Sequence, residues 1–187
     1  MKKVLIACEC SQVETLAFRQ LGAEAFSCDI KRCMGGHPEW HIRCDVRQLL
    51  DEKWDLIVAH PPCTMLARVS AVQLAAGVHT MDDVEKAREF FMMFLDIDCP
   101  VAVENPIPLK VARLPRPSQW ICPSDFGHPY TKKTGLWLKD LPPLFPTHGH
   151  YIGVGSWIKK VGGNQCKRSR SFEGIAEAMA SQWLPII

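Results

Sequence analysis

Three short apolar runs constrain the fold of this 187-residue chain more than any other feature. They are Val4–Ala7, Asp55–Ala59 and Val101–Val103. Apolar runs of this length, without alternation, are typical of parallel strands that are buried on both faces. Segments with apolar residues at helical spacing lie between these runs or after them. They are Glu14–Leu21, Met81–Leu95 and Gly174–Trp183. Alternation of such strands and helices predicts an α/β fold with a mainly parallel sheet and helices on both faces.

Weaker signals place further elements along the chain. Gly22 predicts the end of the first helix as a C-cap, and Ala25–Cys28 and Ile42–Val46 resemble strands. Leu136–Leu138 is a further strand candidate. The stretch Lys31–His41 is predicted to be loop because it mixes glycines, a proline and charges. The length favours one domain over residues 1–187, with a loop-rich segment at about 141–165.

Polar residues follow two of the apolar runs. His60-Pro61-Pro62-Cys63-Thr64 follows the second run, and Glu104-Asn105-Pro106 follows the third. The prolines block both helix continuation and ladder donation, so Cys63 is expected in a rigid loop at the carboxyl edge of the sheet, where α/β proteins bind ligands. Taken alone, Cys63 could be a small buried apolar residue. A thiol and a carboxyl group that face one cleft instead indicate covalent catalysis with proton transfer.

These segments resemble motifs of the DNA cytosine-5 methyltransferases. Residues 55–64 are similar to the Pro-Cys nucleophile motif, and residues 101–106 are similar to the Glu-Asn motif. Residues 126–132 resemble a later family segment, with Tyr130 in place of its Gln, Lys132 in place of its first Arg and Thr134 in place of its second Arg. The whole chain resembles small phage-borne proteins of the cytosine-methyltransferase-like type, including Arg-Ser-Arg at 168–170 and the following Gly-Ile-Ala-Glu-Ala-Met-Ala.

The resemblance implies a Rossmann-like S-adenosylmethionine-dependent fold and methyl transfer to C5 of cytosine in DNA. Cys63 would add to C6 of the base, and Glu104 would give a proton or hydrogen bond to N3. Lys132 would hold the base O2 or a phosphate. The remaining residues that the resemblance assigns are Pro62 and Asn105 in the catalytic group, and Thr64, Arg168 and Arg170 in substrate binding.

The resemblance also implies a site for S-adenosylmethionine. Asp29 corresponds to the ribose-binding acid and Asp45 to the acid that reads the adenine amino group. The other residues assigned to the cofactor are Glu9, Cys10, Ser11, His60 and Pro61. The loop after the first strand has no glycine where the family has several, so the cofactor could be held differently or not at all. Asp29 and Asp45 could also be ordinary loop acids that cap turns.

Several alternatives remain open at this stage. Cys28, Cys33, His37 and His41, with Cys8 and Cys10 nearby, have tolerable zinc spacing but no paired Cys-x2-Cys knuckle, so no metal is assigned. An amino-methyltransferase would need an Asp or Asn before its prolines, where this chain has His60. A binding protein on a degenerate methyltransferase scaffold would not need both Cys63 and Glu104. RNA or a free nucleotide could replace DNA as the substrate.

Charge and cysteine usage set the expected surroundings. The net charge is +2, so a nucleic acid would have to bind a local patch, such as the basic residues at 159–160 and 167–170, which could equally be a solvated face. Nine cysteines, an odd number, and the absence of an apolar run long enough to span a bilayer favour a reducing cytoplasm and no membrane contact.

Overall fold

The computed structural model describes residues 1–149, 155–162 and 170–187. Its main feature is a seven-stranded sheet in the order β3-β2-β1-β4-β5-β8-β6. The strands of this sheet are β1 (Lys3–Ala7), β2 (Glu24–Cys28), β3 (His41–Ile42), β4 (Leu56–Ala59), β5 (Val101–Pro106), β6 (Gln119–Ile121) and β8 (Thr134–Lys139). Strands β7 (Tyr130–Thr131) and β9 (Gly155–Ser156) form a separate parallel pair. The helices are α1 (Val13–Gln20), α2 (Ala71–Ala75), α3 (Met81–Met92), α4 (Trp157–Val161) and α5 (Glu173–Trp183).

Both faces of the sheet are covered. Strands β1 to β5 are parallel to one another, and β8 and β6 are antiparallel to their neighbours. Because side chains alternate along a strand, each buried strand supplies two cores. One core contains Phe18 of α1 and Trp183 of α5, and the other contains Phe91 of α3. The predicted α/β class, with a mainly parallel sheet and helices on both faces, is confirmed.

The end of α1 follows its prediction. Gly22 has φ +86° and donates its backbone N–H to the carbonyl of Arg19 at 2.9 Å. This left-handed conformation ends the helix, as expected of a glycine C-cap.

The strand predicted over Ile42–Val46 is wrong beyond its first residue. β3 ends at Ile42, and Asp45 instead caps a 3-10 turn over Val46–Gln48 by accepting the N–H of Arg47 at 3.0 Å. An Asp side chain that bonds backbone two residues later favours a turn over a strand. The helix predicted over Met81–Leu95 stops at Met92, and the chain continues as a 3-10 turn.

The register brings three strand ends level with one another. Ala7 pairs with Ala59, and Ala59 pairs with Val103. The next residue on each strand therefore leaves the sheet at the same edge, which is where the order of the strands reverses between β1 and β4.

The segment 141–165 is described only in part. Residues 150–154 and 163–165 of the segment lie outside the described residues. Within it, Trp157 packs its ring against Tyr130 and Phe172, each with centroids 4.9 Å apart. The single domain over residues 1–187 and its loop-rich segment at about 141–165 stay predictions. No helix in the described ranges is both long and apolar enough to cross a membrane.

Candidate active site

His60, the residue after β4, lies between two carboxyl groups. Its Nε2 is 3.2 Å from Glu14 Oε1, and its Nδ1 is 3.5 Å from Glu104 Oε2. The side chain of Glu14 is 1% exposed, whereas those of His60 and Glu104 are 13% and 19% exposed. Three elements thus supply one buried row of ionisable groups: α1, the end of β4, and β5.

This row forms part of the wall of a small cavity. Lys132 and Thr134, from the antiparallel side of the sheet, form another part. The remaining lining residues are Ile121, Pro123, Ser171, Phe172, Ile175 and Met179. The cavity has a volume of about 30 Å³, which is enough for water. A pyrimidine base needs more room, so a base could enter only if lining side chains moved.

The groups in this row hold one another in charged states. Burial alone would lower the pKa of His60, but the charges of Glu14 and Glu104 outweigh burial and raise it to about 10. Burial alone would raise the pKa of Glu14, but the charge of His60 outweighs it and keeps the pKa below its ordinary value. Burial alone would also raise the pKa of Glu104. The hydrogen bond with His60 and the charge of Lys132 outweigh burial, and the pKa of Glu104 is lowered. The directions of these pKa shifts favour an imidazolium between two carboxylates.

Cys63 lies in the turn that follows His60-Pro61-Pro62. Its carbonyl accepts the N–H groups of Leu66 and Ala67 at 3.0 and 2.8 Å, which fixes the backbone, and its side chain is half-buried. Pro61 is buried, whereas Pro62 and Thr64 are exposed. The predicted rigid loop at the carboxyl edge of β4 is confirmed. The roles assigned to its side chains stay predictions.

Asn105 is fully buried beside Glu104. Its Nδ2 donates to the carbonyl of Pro106 at 2.6 Å, and its Oδ1 has no hydrogen-bond partner among the described residues. An unpaired buried oxygen is costly unless a donor such as water reaches it.

The loop after β1 keeps the backbone shape of a glycine loop without glycines. Cys8 and Gln12 have φ of 60° and 62°. Both oxygens of Glu9 accept the N–H of Gln12, at 2.7 and 2.9 Å, and the Gln12 side chain bonds His37 on the facing segment. Burial and the charge of Glu14 raise the pKa of Glu9 to about 7. Glu9 thus stabilises this loop from within. Cys10 and Ser11, also predicted to hold the cofactor, are half-buried in it.

The two predicted cofactor acids both take part in turns. Asp29, directly after β2, accepts the N–H of Lys31 with Oδ1 at 2.9 Å. Asp45 caps its turn and pairs with Arg47, whose hydrogen bonds lower the Asp45 pKa to about 2. Both carboxyl groups are half-buried. The turn-capping alternative is thus observed, although a carboxylate has acceptor capacity beyond these bonds.

The predicted basic substrate contacts lie on the surface or outside the described residues. Arg168 falls outside the described residues. Arg170 is exposed, with its Nη2 3.7 Å from Glu173 Oε1. Arg170 is therefore accessible to a phosphate but contributes nothing to the cavity wall.

The residues of the zinc alternative bond elsewhere. Cys33 contacts Gln12, His37 contacts Glu39, and His41 contacts Ser27. Within residues 1–149, 155–162 and 170–187, no three His, Cys, Asp or Glu side chains converge as metal ligands.

Glu14 is the site residue that sequence reasoning missed. An acid in the first turn of a helix is ordinarily explained by the helix dipole. The available signal was its spacing, because Glu14 shares the buried face of α1 with Ala17 and Phe18, three and four residues later. A carboxyl group on an apolar face calls for a buried partner.

Solved structures with a similar fold exist, whereas no family model matches the chain and no curated protein matches its sequence. The methyltransferase EhMeth of Entamoeba histolytica has a TM-score of 0.50 at 11% identity, with 83% of this chain and 57% of that chain covered. A protein encoded within an E. coli prophage and described as a DNA modification methyltransferase has a TM-score of 0.48 at 13% identity, with 74% and 46% covered. For the S. pombe Dnmt2 methyltransferase the values are 0.44 and 11%, with 81% and 51% covered.

The chain spans about half the length of these solved proteins. At such low identity the likeness concerns the fold alone. Together with the sheet order, it shows that the chain has a Rossmann-like fold similar to that of the methyltransferase EhMeth.

Proposed function

We propose that this chain transfers a methyl group from S-adenosylmethionine to C5 of cytosine in a nucleic acid, DNA in the first instance, through a covalent Cys63 adduct. One observation carries the proposal. Glu104 and Lys132 line the same cavity as His60, and His60 begins the Pro-Pro-Cys loop. Cys63 does not line the cavity itself, but its loop begins at His60, which does. This arrangement supports a nucleophile, an acid and a cation at one edge of the sheet.

The residues divide the reaction between them. The Cys63 thiolate adds to C6, which breaks the ring's conjugation and makes C5 nucleophilic. Glu104 hydrogen-bonds the base at N3 and its neighbouring amino group, and Lys132 holds O2 or a phosphate. After methylation, solvent takes the C5 proton, the electrons of that C–H bond form the C5–C6 double bond, and the C–S bond breaks to release the thiolate. Because the pKa of Glu104 is lowered, the proton it gives to N3 must come to it from a neighbouring group.

The chain's residues fit the cofactor at two points. The left-handed backbone at Cys8 and Gln12 keeps the loop after β1 in the form that glycines usually provide, and the Gln12 side chain is bonded to the segment around His37. Asp29, at the carboxyl end of β2, keeps acceptor capacity for a ribose diol. S-adenosylmethionine supplies the electrophilic methyl group when bound.

The direct experiment is transfer of labelled methyl from S-adenosylmethionine to duplex DNA, single-stranded DNA, RNA and dCMP. Label on one substrate is expected with the wild type, and none with Cys63→Ser, which keeps the size of the side chain but lacks the thiolate. Glu104→Gln should lower the rate by about 10² to 10⁴. Activity of Cys63→Ser equal to that of the wild type would exclude the covalent adduct.

A binding protein on a degenerate scaffold is the second candidate. The small cavity and the glycine-free loop favour it. Calorimetry separates the two, because a degenerate scaffold would bind nucleic acid without binding S-adenosylmethionine and would leave every substrate unlabelled.

A further inference from the structure

Both ring nitrogens of His60 face a carboxyl group, at 3.2 Å toward Glu14 and 3.5 Å toward Glu104. A neutral imidazole has one N–H and would therefore turn a lone pair toward one of the two carboxylates. An imidazolium has an N–H for each. Both distances are within ion-pair range and favour a doubly protonated ring, with Nε2 close to Glu14 but not aligned for a hydrogen bond with it.

Glu14 has no other evident task. Its side chain is 1% exposed, and its carboxylate is stabilised first by the charge of His60 and, to a smaller extent, by the hydroxyl group of Ser171. It lies on the buried face of α1, where an apolar residue would avoid the desolvation of a charge. The group that compensates its charge is His60, which in turn is the residue in contact with Glu104.

We propose that Glu14 is a positioning residue that keeps His60 doubly protonated, so that His60 passes a proton to Glu104 when the target base takes one. The proposal rests on the methyl transfer proposed above. As the C–S bond forms at C6, electron density moves to N3. His60 Nδ1 gives its proton to the Glu104 carboxylate, and Glu104 passes a proton to N3. Once C5 has taken the methyl group, N3 returns its proton along the same path. The relay needs no further acid or base.

Charged groups from every neighbouring element bear on His60. Glu14 comes from α1, Glu104 from β5, and Glu9 from the loop after β1, where its charge interacts with both Glu14 and His60. Lys132, which precedes β8, acts on Glu104. Glu14 and Glu104 stabilise the positive charge of the ring. Lys132 lowers the pKa of Glu104, so Glu104 accepts a proton only from a strong donor.

The test combines a titration with a rate profile. NMR of the chain labelled at histidine follows the His60 ring in wild type, in Glu14→Gln and in the control Glu89→Gln, whose carboxyl group is exposed on α3. We expect His60 to stay protonated beyond about pH 8 in wild type and control, and to titrate at least about one pH unit lower in Glu14→Gln. In methyl transfer, kcat of Glu14→Gln should begin to fall at a pH at least about one unit below that at which kcat of the wild type falls, with KM unchanged.

The outcomes separate the relay from the proposed function. A neutral His60 in the wild type near neutral pH overturns the relay whatever the activity, and so does a Glu14→Gln rate profile that keeps the wild-type shape. If the wild type transfers no methyl group while His60 is protonated, the proposed function is overturned, and with it the proposal that the relay protonates the target base. Should Glu14→Gln fail to fold, Glu104→Gln removes the other carboxylate and must also lower the His60 titration.

Discussion

The free energy of unfolding should fall as the pH rises above neutrality, because folded His60 keeps a proton that the unfolded chain releases. Its pKa is about 10 in the fold, against an ordinary value of 6.5. Stability from the charged ring is therefore complete below about pH 6.5 and is lost as the pH rises toward about 10. Near pH 8 the two states differ by almost one proton, which corresponds to a loss of about 1.3 kcal/mol per pH unit.

The pH window is set by the other shifted groups. The pKa of Glu9 is raised to about 7, so this residue also lowers stability with rising pH, but only up to that value. The pKa values of the Cys8, Cys28 and Cys99 thiols are raised above 9.0 by burial, so these residues add a loss of stability that begins near about pH 8 and grows above it. Between about pH 7.5 and about pH 8.5, His60 contributes the largest part of the change in stability, and Glu9 and the three thiols together contribute about half as much or less.

Urea unfolding, followed by tryptophan fluorescence under reducing conditions, measures this difference. Wild type should lose about 1.5 to 2 kcal/mol between about pH 7.5 and about pH 8.5, of which His60 contributes about 1.3 kcal/mol. The double variant Glu14→Gln/His60→Gln, which removes the ring together with the buried carboxylate that its charge keeps ionised, should lose only about 0.5 kcal/mol. The same loss in both proteins, or none in wild type, would refute the assignment of a charged His60.

Two further predictions concern the structure around the site and on the opposite face of the sheet. A Cβ at Gly35 would lie 2.4 Å from Gln12 Cβ. Gly35→Ala should therefore lower the free energy of unfolding by about 1 to 3 kcal/mol and weaken the binding of S-adenosylmethionine in calorimetry. The control Gly149→Ala, with open space around the added Cβ, should change stability by less than about 0.5 kcal/mol. Thr80→Ala should cost about 1 kcal/mol in urea unfolding, because Thr80 and Asp83 form the capping box of α3, and Thr80→Ser, which keeps the hydroxyl, should restore most of it.

The sequence predicted the central strands because their signal is local. Apolar runs such as Leu56–Ala59 are buried on both faces, and a run of this kind needs no partner to be identified. β6 was missed because three residues, Gln119–Ile121, carry too little pattern, and their strand exists through pairing with β8. Arg43–Val46 failed as a strand because the side chain of Asp45 bonds the backbone locally.

The site was predictable by residue type but not by arrangement. His60, Glu104 and Lys132 stand out in the sequence because prolines or family motifs surround them. The sequence interpretation assigned His60 to the cofactor, and the contact between His60 and Glu104 depends on the register of β4 against β5, which no local pattern encodes. The closeness of Glu14 depends on how α1 packs, which is likewise a long-range property.

The cavity has walls from both ends of the chain, and this affects when it can form. Glu14 is in α1, whereas Phe172, Ile175 and Met179 precede or belong to α5, which packs against α1. During synthesis the strands and α1 leave the ribosome long before α5, and contacts between distant segments form last. A nascent chain that stops short of α5 can therefore form much of the sheet, but His60 stays open to water. The desolvation on which its charge state depends arrives only with the last helix.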